Sequence, residues 1–351
     1  MTAAQDIRTK VGAIAIGRNE GERLRACLES LVRDLDHVVY VDSGSSDNSL
    51  AVAQALGVDA VQLDTRGGFT AARARNAGFR RLQQLAPNVK FVQFVDGDCE
   101  VIGGWMRAGL AFLNSKPQAA VVCGRRRETH PHLNVYHRLT EMEWETLAGE
   151  THSCGGDALF RRDAFEEVGG YRETLIAGEE PELCTRLRKN GWKIWRLDSE
   201  MTYHDIRMST FRQWWRRTVR GGHAYAEVAA LHGSLTERHR WRKLVSIWFW
   251  ALLPFIAFAV WPFTGGASLI ATALAYVLLI AKTSASRMRR HRDPWASALL
   301  YSTACVLAKW PQTLGSLQYS WNRLRGSRTQ LIEYSQHAIG TPSKQGHRTR
   351  V

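Results

Sequence analysis

Apolar residues in the first hundred positions arrive in short bursts, separated by stretches in which they recur every three or four places. Residues 11–16, 38–41 and 91–95 are apolar runs of strand length, the last interrupted by Gln93, with another short one at 60–63. Between them Leu24, Leu28, Leu31 and Val32 keep a helical spacing, and helices are predicted over 49–56 and 70–85. Turn-forming residues such as Asp42-Ser43-Gly44-Ser45-Ser46-Asp47 close the strands. The β-α-β-α-β rhythm predicts an α/β fold, a mostly parallel Rossmann-like sheet with helices on both faces.

Further along, Gly155-Gly156-Asp157, Val168-Gly169-Gly170-Tyr171 and Gly178 mark turns. A helix is predicted to open at Glu179-Glu180-Pro181-Glu182, and a short strand at 192–197 to lead to Tyr203-His204-Asp205. From 211 onward, Phe211, Trp214, Trp215, Thr218, Val219, Gly222 and Tyr225 share one side of a helix. Arg212, Gln213, Arg216, Arg217, Arg220 and His223 take the other. A basic amphipathic helix with tryptophan on its apolar side suits a membrane interface. Residues 244–263 then form an apolar run of the length needed to span a bilayer, and 265–281 a second, shorter one. Thr264-Gly265-Gly266 joins them without charge, which predicts a transmembrane hairpin. Residues 296–308 and 311–321 read as a re-entrant or interfacial pair, with a third span as the alternative. The chain beyond 341 has the composition of a disordered tail. Four regions are expected: 1–205 catalytic, 206–243 basic and interfacial, 244–325 transmembrane and interfacial helices, and 326–351 a basic, partly disordered tail.

Composition sharpens this picture through charge. The 351 residues carry a formal charge of +14, which suits anionic lipid or nucleic acid. The basic residues gather at 207–243 and 282–292, on both outer flanks of the apolar pair. That placement selects membrane lipids over nucleic acid, and by the positive-inside rule it puts both ends of the hairpin, and the catalytic region, on the cytoplasmic side of the plasma (inner) membrane. Six scattered cysteines show no zinc spacing and fit reduced thiols. The run at 11–16 is too short for a cleavable signal peptide.

The chemistry centres on Asp96-Gly97-Asp98, two carboxylates at the end of the strand 91–95. Ligands of open α/β sheets collect at the carboxyl ends of strands. A carboxylate pair there suits Mg²⁺ or Mn²⁺, shared with substrate phosphates. Neither a dinucleotide Gly-x-Gly-x-x-Gly nor a Walker loop is present. Arg73 and Arg75 offer guanidinium forks to base or phosphate, or form a solvated helix face.

Ile16-Gly17-Arg18-Asn19-Glu20, residues 41–47, Ala74-Arg75-Asn76-Ala77-Gly78, Phe94-Val95-Asp96-Gly97-Asp98, residues 155–160 and Gly178-Glu179-Glu180 occur in this order. Over residues 10–235 the chain thereby resembles the membrane-associated family 2 glycosyltransferases of bacteria, with a GT-A catalytic domain. The resemblance implies inverting transfer from a nucleotide-diphosphate donor, such as a UDP-sugar, to a lipid-linked or growing glycan in surface polysaccharide assembly. It implies donor contacts by Glu20, Asp42 and Asp96, with Asp98 on the metal. The family's base is usually the Asp of a Glu-Asp pair; here the pair is Glu179-Glu180, and Glu180 aligns with the base. Helix-dipole complementation is the other role open to these glutamates. His204 is either a further metal ligand or a structural histidine. Gln213 and Arg216 resemble part of the Gln-x-x-Arg-Trp acceptor motif of processive synthases, although Arg217 replaces the tryptophan; a plain membrane anchor is the alternative. A sugar nucleotidyltransferase would need a Gly-rich phosphate loop after the first strand, which Gly17-Arg18-Asn19 is not. A sugar-binding or scaffold pseudoenzyme would be expected to lack the metal aspartate or the base, and both are present.

Overall fold

The computed structural model describes residues 3–66, 68–233 and 238–327. The tail expected to be disordered lies almost entirely outside them. The first 204 residues build α1 (Ala3–Lys10), β1 (Val11–Gly17), α2 (Glu22–Val32), β2 (Val38–Asp42), α3 (Ser49–Ala55), β3 (Asp59–Gln62), α4 (Ala71–Leu85), β4 (Phe91–Asp96) and β5 (Cys99–Val101). They continue through α5 (Trp105–Ser115), β6 (Ala119–Glu128), α6 (Val135–Trp144), β7 (Gly149–Thr151), β8 (Ala158–Arg161), α7 (Arg162–Glu167), α8 (Glu179–Lys189) and β9 (Lys193–His204).

The strands form one sheet in the order β3-β2-β1-β4-β8-β6-β9-β5, with β7 paired to β9. β3, β2, β1 and β4 run parallel, and the inner three are almost continuously buried, as parallel strands covered on both faces are. β8 then runs antiparallel to both β4 and β6, while β9 is parallel to β6. The sheet is thus mixed: wholly parallel from β3 to β4, and beyond β4 parallel only between β6 and β9. Register sets Asp42 beside Gly17, and Ile16 beside Asp96, so the ends of β1, β2 and β4 open onto one rim. Glycine at 78 brings α4 down onto that half: a Cβ there would lie 2.4 Å from Ile14 Cγ2 and 2.9 Å from Val41 Cγ2. Thr70 caps α4, its Oγ1 accepting from the Arg73 amide at 3.1 Å.

Five helices follow: α9 (Phe211–His232), α10 (Arg238–Thr264), α11 (Ala267–His291), α12 (Trp295–Leu307) and α13 (Lys309–Leu324). Gly265 and Gly266, at φ 55° and 89°, turn α10 back into α11, since both angles favour a residue without a Cβ. Both helices are long and apolar enough to cross a membrane. Their outer faces leave Phe255, Phe258, Phe263 and Leu278 exposed, an apolar surface that lipid would cover. α12 and α13 have 13 and 16 residues. At 1.5 Å per residue the longer reaches about 24 Å, short of a hydrocarbon core of about 30 Å.

One expectation needs correction. α9 does not lie with a free tryptophan stripe toward lipid. Trp214 packs into a small core with Ile206 and Met208, and Val219, Gly222, His223 and Ala226 are buried. α9 and α13 cross so closely that a Cβ on Gly222 would meet the Gln312 carbonyl oxygen at 2.1 Å, and one on Gly315 the Val219 oxygen at 1.9 Å. The obstacle is backbone, so it cannot swing aside. Gly222→Val is therefore predicted to lower stability by about 1–3 kcal/mol, read as a fall in the thermal midpoint of the detergent-solubilised protein. An unchanged midpoint would contradict the close crossing.

Candidate active site

The rim begins with two interlocked loops. Asn19 adopts φ 58°, which its short amide side chain tolerates. Its Oδ1 accepts from the Ser46 amide at 2.7 Å, and its own amide donates to Ser45 Oγ at 2.9 Å. Asp42, buried at the end of β2, accepts from the Gly44 and Ser45 amides at 3.0 and 2.8 Å and from the Tyr40 hydroxyl at 3.0 Å. Glu20 pairs with Arg23, which also donates to the Asp205 carbonyl at 2.8 Å. Burial and the nearby Asp98 push the Glu20 carboxyl up to about 7.

Behind the loops stands Arg75, its side chain 2% exposed. It donates to Asp96 Oδ1 at 2.7 Å and to Glu179 Oε1 at 2.9 Å, and lies 3.1 Å from Glu180 Oε1. One cation thus ties the end of β4 to the start of α8. Its position is fixed from both sides, because Asn76 next to it exchanges bonds with the Tyr171 backbone at 2.8 and 2.9 Å. Glu179 is 5% exposed and Glu180 15%, so Glu180 is the more open of the two. Burial, reinforced by Glu179, raises the Glu180 carboxyl to about 7 against the pull of Arg75.

A second cation, Arg126, sits 2.8 Å from the fully buried Asp157 and 3.6 Å from Asp96 Oδ2. Asp157 accepts from the Asp96 amide at 3.0 Å and from the Thr202 hydroxyl at 2.8 Å, joining β4, β8 and β9. Beside this pair, His204 Nε2 faces Asp98 Oδ2 at 3.2 Å. Burial opposes charge on the imidazole, but Asp98 outweighs it and lifts His204 to about 9. Two cis ligands of an octahedral cation at about 2.1 Å are about 3 Å apart, so this spacing fits a shared divalent ion. Cys99 is also within reach, but burial and Asp157 hold its thiol protonated, and a thiol suits a hard cation poorly. Around these groups lies a cleft of about 360 Å³, bordered by Gly17, Glu20, Arg75, Asp96, Asp98, Glu180 and His204, and by Arg217 and Arg220 of α9.

Residues 14–169, which hold the rim and most of these groups, match the family model Glycosyl transferase family 2. The chain carries a family 2 glycosyl transferase domain. Its fold is GT-A-like. The chain is 28% identical over 323 residues to the pre-mycofactocin glycosyltransferase of Mycobacterium tuberculosis, covering 85% of this chain and 64% of that relative's length. It is 24% identical over 174 residues to the O-antigen chain rhamnosyltransferase of Salmonella typhimurium, covering 45% and 54%. Among solved structures, the mannosyltransferase PcManGT from Pyrobaculum calidifontis in complex with GDP-Man and Mn²⁺ superposes with a TM-score of 0.59 at 16% identity, over 90% of this chain and 88% of that one.

Of the residues the sequence singled out, Glu20, Arg75, Asp96, Asp98, Glu180 and His204 converge on the cleft. Asp42 lies behind it, occupied by its own loop. Arg73 holds the loop before α4, donating to the Asp64 carbonyl at 2.9 Å and to that of Gly68. Gln213 does not point at the cleft: it closes a capping box, its Oε1 accepting from the Ser209 and Thr210 amides at 2.9 and 3.0 Å. Arg216 is likewise absent from the cleft's border; the α9 residues there are Arg217 and Arg220. The Thr210-x-x-Gln213 spacing is itself a capping-box signature in the sequence. Arg126 gives no such signal, because Arg125-Arg126-Arg127 reads as a surface cluster until the start of β8 brings Asp157, and the end of α6 brings Trp144, against it.

Removing Arg75 strands three carboxylates. Arg75→Met is predicted to cost about 3–5 kcal/mol of stability near neutral pH. Without the guanidinium, burial and the neighbouring Glu179 and Asp96 lose their main opponent, and the folded-state pKa of Glu180, already raised from 4.5 to about 7, rises further. A group with a raised folded pKa loses its stabilising contribution as pH climbs through that value. The deficit should therefore be smallest near pH 5 and grow toward pH 8. Denaturation at several pH values checks this, and a deficit independent of pH would contradict it.

Proposed function

We propose that this glycosyltransferase moves a sugar from a nucleotide-diphosphate donor to a lipid-linked or growing glycan, with inversion at the anomeric carbon. The observation that carries the reading is one cleft bordered on one side by Asp98 and His204 and on the other by Glu180. Asp98 and His204 would hold a divalent ion, Mg²⁺ or Mn²⁺. When bound, such an ion compensates the charge that grows on the leaving diphosphate. Mn²⁺ in the complex of PcManGT is consistent with this choice.

The chain's own residues do the rest. Glu180 accepts the proton of the attacking hydroxyl; a carboxyl raised to about 7 is well matched to general-base work near neutrality. Arg75 keeps that carboxylate aimed while holding Asp96 on the donor side. Glu20, Asp42 through its loop, and Asp96 shape the nucleoside end. Arg217 and Arg220 offset donor charge at the cleft's edge. With Glu180 as the base, one direct displacement at the anomeric carbon gives the inversion that the family resemblance implies. The apolar hairpin and its basic flanks support anchoring in the plasma membrane with the catalytic half cytoplasmic. The relatives' names, one for O-antigen chain synthesis, support a glycan-building role.

Two substitutions test the reading. Asp98→Ala should lose Mn²⁺-dependent binding of nucleoside diphosphate in calorimetry while remaining folded. Glu180→Gln should bind donor normally and lose transfer by roughly 10²–10⁴-fold. If Glu179→Gln is the inactive variant and Glu180→Gln is near normal, the base belongs one residue earlier.

A further inference from the structure

Next to the catalytic cleft lies a larger cavity of about 630 Å³, enclosed by α6, α9, α10, α12 and α13. Trp144, Gly178, Arg217 and Arg220 border both spaces, so the two adjoin. Its size is within the range of about 300–1,000 Å³ typical of small-molecule sites. Its lining is unbalanced in charge. Arg217, Arg220, Lys243 and Lys309 contribute four cations, against Glu143 as the one carboxylate, which pairs with Arg217 at 2.6 Å. Lys243 Nζ lies over the Tyr225 ring at 4.1 Å. Burial, followed by repulsion from Lys243, lowers the Lys309 ammonium below the ordinary lysine value. Positive charge is thus gathered here in excess of what the lining itself neutralises.

The rest of the wall identifies the occupant. Trp214, Ala304 and Ala308 make one side apolar. Lys243 immediately precedes Leu244, where the apolar length of α10 begins. The cavity therefore sits where a membrane interface meets the catalytic cleft. A free anion would use the cations and leave the apolar wall bare; a neutral lipid would leave the cations unmatched. Resting on the glycosyltransferase reading above, we infer that this cavity binds the phosphate headgroup of an amphiphilic acceptor, leaving the acceptor hydroxyl in the cleft beside Glu180.

The test uses the full chain in non-ionic detergent and three probes: decyl phosphate, decanol and inorganic phosphate. Decyl phosphate should bind at least about tenfold more tightly than either partial probe, a difference of the size one charge-assisted contact supplies. Lys243→Ala/Lys309→Ala should weaken decyl phosphate binding by about tenfold or more. The charge-preserving Lys243→Arg/Lys309→Arg should retain it, which separates lost charge from lost fold. Inorganic phosphate binding as tightly as decyl phosphate would overturn the lipid assignment, and undiminished binding by the alanine pair would overturn the site. Nucleoside diphosphate binding with Mn²⁺, using UDP and GDP on the same samples, should be unaffected by the alanine pair. Its absence from the wild type would count against the transferase reading alone, while decyl phosphate binding would still support the cavity.

Discussion

The buried guanidinium of Arg75, shared among Asp96, Glu179 and Glu180, is the interaction on which the site depends. Three carboxylates drawn so close would repel one another and take up protons in a dry interior. A single cation in their midst lets them coexist, and its fork ties the end of β4 to the start of α8. That arrangement has requirements elsewhere. Gly78 lets α4 sit against Ile14 and Val41, Thr70 fixes where α4 begins, and Asn76 clasps the Tyr171 turn that leads toward α8. The fold's local choices are therefore read out as the position of one side chain.

Arg126 performs a parallel task one layer away. Its pairing with Asp157 gathers β4, β8 and β9 around the Asp98–His204 pair. The mixed half of the sheet thus supplies His204 to this pair, whereas the parallel half supplies Asp98 and, through Asp96 and Arg75, meets Glu180 at the start of α8. Above both, α9 crosses α13 at Gly222 and Gly315 and brings Arg217 and Arg220 to the cleft. The helical half is more than an anchor, because it supplies part of the site's border.

How much of this the sequence disclosed follows from burial. β1, β2 and β4 are buried on both faces, so their apolar runs stood out against polar loops. Asp96, Asp98 and Glu180 sit at element ends, where spacing and composition are informative. β9 was legible only at its start, because Arg196, Asp198, Ser199 and Glu200 interrupt the apolar pattern while pairing with β6 carries the strand on to His204. Arg126 and Asp157 became a pair only through contacts between distant strands. Gln213 shows the opposite failure: its local capping geometry was written in Thr210-x-x-Gln213, but the resemblance to an acceptor motif drew the reading elsewhere.

The central claim is that burial and the carboxylate cluster, opposed by Arg75, hold Glu180 ready to accept a proton near neutral pH. A direct measurement is a ¹³C NMR titration of the protein carrying carboxyl-labelled glutamate, with the Glu180 resonance assigned by its loss in Glu180→Gln. The account predicts a midpoint near 7 for Glu180. A midpoint at the ordinary glutamate value of about 4.3 would contradict it.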